Sequence, residues 1–186
     1  PLALVGHSYG GAIALIAALR HPEKVRALAL YEPTLFSLVD AEAPPPNAAD
    51  GIRTTVATVT RALEAHDPNA AAECFIDYWM GSGAWRQTPD ARKPAILAGI
   101  GNVPRWAHAL TSEPTPLDAF RRLDMPVLYM TGEHSPAAPL AVARLLTDTL
   151  PDVHRVEFAG LGHMGPITDP ERVNGEIEAF LKKASR

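Results

Sequence analysis

A serine flanked by glycines, Gly6-His7-Ser8-Tyr9-Gly10, follows directly on the apolar run Leu2–Val5 and precedes an Ala-rich stretch. A serine hydroxyl attacks a carbonyl only when an adjacent base takes its proton. The pattern G-x-S-x-G arises by chance in unrelated chains, and its meaning lies in its setting between a strand and a helix. A sharp turn at that point lifts the Ser8 oxygen off the sheet and holds its backbone in a strained conformation. The same turn aims the Tyr9 backbone N–H, aided by the helix N-terminus, at a developing oxyanion. The competing reading is a Gly/Ser capping turn with no chemistry.

The elements that must position this turn are legible around it. Leu2–Val5 reads as a buried parallel strand ended by Gly6, Gly10–Arg20 as a helix stopped by Pro22, and Val25–Tyr31 as a second strand closed by Glu32-Pro33. Strand, helix and strand within about thirty residues make one βαβ unit. Ala43-Pro44-Pro45-Pro46 is then a stiff linker. Beyond it Ile52, Val56, Val59 and Leu63 recur at helical spacing. Asp67-Pro68 starts a helix whose face carries Phe75, Ile76 and Trp79. Thr88-Pro89 is expected to start another that carries Ile96 and Ile100, and Trp106 and Leu110 continue the pattern. Strand texture returns at Val127–Met130, a helix is expected over about Leu140–Leu150, and Val153–Phe158 reads as a last strand near a sheet edge. Asp169-Pro170 opens a final amphipathic helix ending near Lys182. The expected class is α/β, a parallel sheet covered by helices, divided as core (1–38), helical cap (39–120) and core again (121–186).

Three segments resemble the α/β-hydrolase superfamily, in the order that family has them. Val5-Gly6-His7-Ser8-Tyr9-Gly10-Gly11-Ala12 resembles its nucleophile elbow, Pro126–Gly132 the strand before its usual acid, and Gly160-Leu161-Gly162-His163-Met164-Gly165-Pro166 its histidine loop. The resemblance implies a Ser–acid–His hydrolase of the serine esterase type that needs no cofactor. Ser8 would attack, His163 would take its proton and return it to the leaving group, and the Tyr9 N–H would serve the oxyanion hole. His7 reads as a framework residue of the elbow. His21, His66, His108, His134 and His154 sit at polar positions without metal-ligand spacing, so no metal site is expected.

The family commonly places its acid three residues after the glycine that ends the third strand here. Gly132-Glu133-His134-Ser135 puts a neutral hydroxyl at that place, and a hydroxyl cannot stabilise an imidazolium as a carboxylate does. Some members carry the acid at the end of the preceding strand, where this chain has Glu32. Glu133 is the second candidate. The family's further oxyanion donor and the strands on the other side of the elbow strand come from a segment ahead of that strand. The chain starts at Pro1 and is inside a strand by Leu2, so a segment upstream is expected. On that expectation the elbow strand is central in the full sheet. The 186-residue chain alone would be aggregation-prone, or would dimerise through the uncovered edge, with little activity.

Trp79, Trp85 and Trp106 in the cap, with Met164 after the base, are candidates to line an apolar substrate pocket. Packing within the cap is the competing reading for each tryptophan. A net charge of −4 supplies no basic stripe for nucleic acid and no polybasic face for lipid. No apolar run is long enough to span a bilayer. Cys74 is the only cysteine, which rules out an intrachain disulfide and fits a cytoplasmic compartment. The functional expectation is cleavage of a small, fairly apolar ester or related acyl compound. C–C bond, thioester, lactone and perhydrolase chemistry stay open, because one triad serves them all. A nucleophilic serine argues against the dehalogenase and epoxide hydrolase branches, which use a carboxylate. The alternative is a degenerate hydrolase fold kept as a binding or scaffold protein, for which Ser135 is the only support.

Overall fold

The structure is a computed structural model that describes residues 1–184, so the last two positions of the 121–186 segment lie outside the described residues. Strands β1 (Leu2–His7), β2 (Val25–Tyr31), β3 (Val127–Gly132) and β4 (Val153–Phe158) form one parallel sheet in the order β1-β2-β3-β4. β1 runs two residues beyond its apolar stretch because Gly6 and His7 pair with Leu30 and Tyr31. Helices cover both faces, as a parallel sheet requires. On one face Leu28 and Leu30 of β2 pack with α1 (Tyr9–Arg20) and α8 (Ala137–Thr149). On the other, Ala29 and Tyr31 pack with Val173, Ile177 and Phe180 of α9 (Pro170–Lys183). Each fully buried leucine contributes about 1.5–3 kcal/mol, which makes the centre of the sheet a rigid base for its rim.

The outer strands differ. β4 exposes His154, Arg155 and Glu157, charges and polar groups that discourage edge pairing. β1 exposes Leu2 (67%) and Val5 (55%), and among the described residues nothing pairs with its outer edge.

Between β2 and β3 the chain forms α2 (Ser37–Glu42), α3 (Asp50–Glu64), α4 (Pro68–Met80), α5 (Ala84–Gln87), α6 (Lys93–Ile100) and α7 (Val103–Ser112). The division expected after residue 38 falls inside α2, and the one after residue 120 falls inside a 3-10 segment, Leu117–Arg122. The Asp67 carboxylate accepts the Ala70 N–H and Pro68 opens α4, so that start is the one its residues dictate. The start expected at Thr88-Pro89 is corrected. The Arg92 N–H closes a turn on the Pro89 carbonyl, and α6 begins at Lys93, with Pro94 in its first turn. Pro89 is used in the turn, and Pro94 takes the place in the helix's first turn. Val59, Ala71, Ala72, Trp85, Ile100 and Val103 give these helices a small core of their own. No helix among the described residues is long and apolar enough to cross a membrane.

Candidate active site

The turn after β1 is as tight as its glycines imply. A Cβ on Gly6 would stand 2.6 Å from the Gly10 carbonyl oxygen, so no side chain fits there. Ser8 takes φ 55 and ψ −121, a conformation that costs about 1–3 kcal/mol and persists where structure enforces it. Tyr9 is the first residue of α1, so its N–H has no partner within the helix and faces the space before it.

Glu32 ends β2 in a second strained turn, with φ 45. Its carboxylate is fully buried, yet every oxygen is used. Oε1 accepts the Gly132 N–H at 2.7 Å and the Ser135 hydroxyl at 2.5 Å. Oε2 lies 2.7 Å from His163 Nδ1. A buried carboxylate is tolerable only with such a set of donors. An ionised carboxylate only accepts, so His163 holds its proton on Nδ1. Nε2 is left as the acceptor for the Ser8 hydroxyl, 2.9 Å away. Ser8, His163 and Glu32 thus form one continuous hydrogen-bonded chain, with His163 only 2% exposed. Glu133 is elsewhere. It is exposed, and its Oε2 accepts the Gly160 N–H at 2.8 Å.

The loop that carries His163 is held on all sides. The Leu161 carbonyl accepts the His134 N–H, the Gly162 carbonyl accepts the Tyr31 hydroxyl at 2.8 Å, and the His163 carbonyl accepts His7 Nε2–H at 2.8 Å. A Cβ on Gly165 would lie 2.2 Å from the Tyr31 hydroxyl, so glycine is required there. His7 is accordingly a framework residue. Its burial, and next the nearby His163, lower its pKa to about 4, which keeps it neutral. Burial, reinforced by the Glu32 charge, pushes the Tyr31 phenol upward, so it too stays a neutral donor.

Above Ser8 and His163 is a cavity of about 260 Å³ between the sheet rim and the cap. Trp79, Trp106 and Met164 line it, as does the Tyr9 side chain. Trp85 does not, which corrects the expectation for that residue. It is 6% exposed within the cap's own core, and Lys93 lies over its ring at 5.6 Å. Its helix, α5, turns it away from the sheet. Phe36, Ile52, Val56, Phe75, Val103 and Leu110 complete the apolar wall. The helical spacing of Ile52, Val56, Phe75 and Leu110 was visible in the sequence, but spacing cannot separate a cavity wall from a packed core. Trp79, on α4, stacks on His163 with ring centroids 4.0 Å apart and planes 28° apart. Among the described residues, none that lines the cavity is Lys, Arg, Asp or Glu. Among the described residues no group of three or more His, Cys, Asp or Glu side chains could hold a metal ion.

Known proteins resemble this chain in sequence and in fold. The chain is 32% identical to a pimeloyl-[acyl-carrier protein] methyl ester esterase of Aromatoleum aromaticum, over 95% of the chain and 72% of that protein. It is 33% identical to the biotin biosynthesis bifunctional protein BioHC of Teredinibacter turnerae, over 97% of the chain but 33% of that protein. The chain therefore spans only part of the length of these relatives. A solved structure of a thermophilic esterase from Thermogutta terrifontis superposes with a TM-score of 0.69 at 22% identity, covering 98% of this chain and 65% of that one. At that identity the likeness shows the fold alone. A family model described as alpha/beta hydrolase fold matches residues 1–170, and the chain belongs to the α/β-hydrolase fold family.

Proposed function

We propose that this chain carries the catalytic residues of a serine hydrolase that cleaves a small, neutral, fairly apolar ester or related acyl compound. The carrying observation is the unbroken Ser8–His163–Glu32 chain beneath an apolar cavity. In the first step Ser8 Oγ attacks the substrate carbonyl carbon and its proton passes to His163 Nε2. The oxygen that becomes negative faces the Tyr9 N–H at the start of α1. Glu32 holds the imidazole in the required tautomer and supports its positive charge. The imidazolium then gives its proton to the leaving oxygen, and an acyl group remains on Ser8. Water, deprotonated by the same Nε2, releases the acid and restores the serine.

The cavity supports the substrate class. Its 260 Å³ lies just below the usual range of about 300–1,000 Å³ for ligand sites. A carboxylate carried on the acyl group would be buried there without a cationic partner, a costly state. The named relative that acts on a methyl ester favours the ester reading over the C–C bond reading. The alternative of a non-catalytic binding protein rested on Ser135. That hydroxyl donates to Glu32, which makes it a support of the acid.

Incubation of the protein with a fluorophosphonate is expected to add the phosphonyl mass to the peptide containing Ser8, and Ser8→Ala to abolish both labelling and ester turnover. Turnover should fall by about 10⁴-fold or more. Ester hydrolysis that survives in Ser8→Ala at near the parent rate overturns the reading.

A further inference from the structure

The cap is usually thought of as a wall for substrate. Here one of its residues touches the base. Trp79 stands near the end of α4, and its indole lies over the His163 ring at a centroid distance of 4.0 Å and an angle of 28°. The indole is itself held. The Tyr78 ring meets it edge-on at 4.8 Å, and the Phe75 ring at 6.2 Å. It also lies between two spaces. One is the apolar cavity over Ser8. The other is an open groove of about 720 Å³, lined by Met80, His134, Gly162 and Asp169 among others, to which Trp79 and Met164 also belong.

We propose that Trp79 is a positioning residue of the reaction, through which the cap holds the His163 ring in plane and favours the imidazolium formed in the transition state. The inference rests on the serine hydrolase reading above. The hydrogen bonds on His163 act in the ring plane or at its backbone. Glu32 holds Nδ1, Ser8 meets Nε2, and His7 holds the carbonyl. Those bonds leave the ring free to tilt about them; the His7 ring packs obliquely against it, at 4.9 Å and 46°, and the indole covers it nearly in parallel. An indole face also attracts a cation. His163 becomes a cation only as Ser8 gives up its proton, so this attraction grows in the transition state and is weak in the ground state. Such an interaction raises kcat and leaves KM nearly unchanged. The position of α4 is then part of the catalytic geometry.

The test compares Trp79→Phe, which keeps an aromatic face, with Trp79→Leu, which keeps an apolar cover without one. Hydrolysis of a short-chain ester and the proton NMR spectrum of His163 are measured on each. Trp79→Leu is expected to lower kcat about tenfold, between the scales of an exposed and a desolvated cation–π contact, with KM within about threefold. Trp79→Phe should recover most of that loss. The His163 Cε1 proton should lie upfield in the parent, under the indole ring current, and move downfield in Trp79→Leu. A loss confined to KM, or an equal loss of kcat in both variants, overturns the proposal and leaves Trp79 as pocket wall. An unshifted Cε1 proton in the parent overturns it as well, since the stack would not exist in solution. Fluorophosphonate labelling of Ser8 separates the two readings. Labelling in Trp79→Leu with unchanged kcat defeats this inference alone, whereas a parent that never labels defeats the hydrolase reading itself.

Discussion

Two turns lie side by side on the same rim of the sheet, one closing β2 at Glu32 and the other running from Gly132 to Ser135 after β3. The family resemblance implied an acid on the second. On the proposed reading the first bears it, and the second serves it. The Gly132 N–H and the Ser135 hydroxyl both donate to Glu32 Oε1, which leaves Oε2 for His163. What must be preserved is a carboxylate oxygen at Nδ1 of the base. Which strand delivers it is free, provided that the other strand supplies donors for the oxygen left over. Glu has the extra methylene that reaches across from β2, and a backbone at φ 45 re-aims the side chain toward the histidine loop.

The comparison breaks most sharply at Glu32. Glu32→Gln keeps the volume and an oxygen for the Gly132 and Ser135 donors. It also sets an amide N–H₂ against Nδ1. His163 should then carry its proton on Nε2, where it cannot accept one from Ser8. A fall in kcat of about 10⁴-fold is expected, with the melting temperature nearly unchanged. Steady-state kinetics and calorimetry on the same preparation check this, and a loss below tenfold would mean that Glu32 is structural.

Returning the acid to the other turn is the next largest effect. Glu32→Gly clears the space and relieves the positive φ. Adding Ser135→Asp puts a carboxylate at the turn after β3, within reach of the volume that the glutamate filled. The double variant is expected to regain about 100-fold in kcat over Glu32→Gly alone. No recovery would mean that the second turn has lost the geometry to present an acid.

Ser135→Ala sharpens the division of labour between the turns. It removes one donor from Oε1 and leaves the Gly132 N–H. Hydrogen bonds to charged groups are worth about 1.5–3 kcal/mol, and part of that should be regained from solvent because Ser135 is only half-buried. A loss of about tenfold in kcat at constant KM is expected. A drop in melting temperature without any change in kcat would make Ser135 a folding residue only.

The sequence disclosed this rim better than the space above it. β2 has the bounds its apolar run implies, because a buried parallel strand leaves a contiguous hydrophobic stretch, and β4 has those of its partly alternating one. Ser8 and His163 were legible because a tight turn and a Gly-rich loop need particular residues at particular spacings. Glu32 was reached by noticing that Ser135 cannot do the work of an acid. Its positive φ left no mark, since glutamate has no special liking for that region. The cap was legible in kind, as helices, and not in orientation. Trp79 and Trp85 are six residues apart with the same chemistry. One stacks on the base and the other fills the cap core, and only the course of the chain through Gly81 and Gly83, both at positive φ, separates them. Helical periodicity reports that a face is buried and is silent on what it faces.

The smallest expected effect is at Glu133, the acidic residue nearest to the place the acid is commonly found. Its side chain is exposed and points along the surface to the Gly160 N–H, at 2.8 Å. Gly160 has φ 76 and opens the loop that carries His163, so the contact steadies the start of that loop. The loop's other restraints lie closer to the base, at the carbonyls of Leu161, Gly162 and His163. A glutamine at 133 can offer its amide oxygen to the same N–H. The change therefore removes a solvated charge and little else, and exposed substitutions of that kind usually fall within about 0.5 kcal/mol. Glu133→Gln should keep kcat within about threefold of the parent, with the pH dependence of kcat/KM superimposable on it. Measured beside Glu32→Gln, it decides between the two turns by rank alone. If Glu133→Gln costs more activity than Glu32→Gln, the acid belongs to the turn after β3, and the buried glutamate is a structural anchor for Gly132 and Ser135.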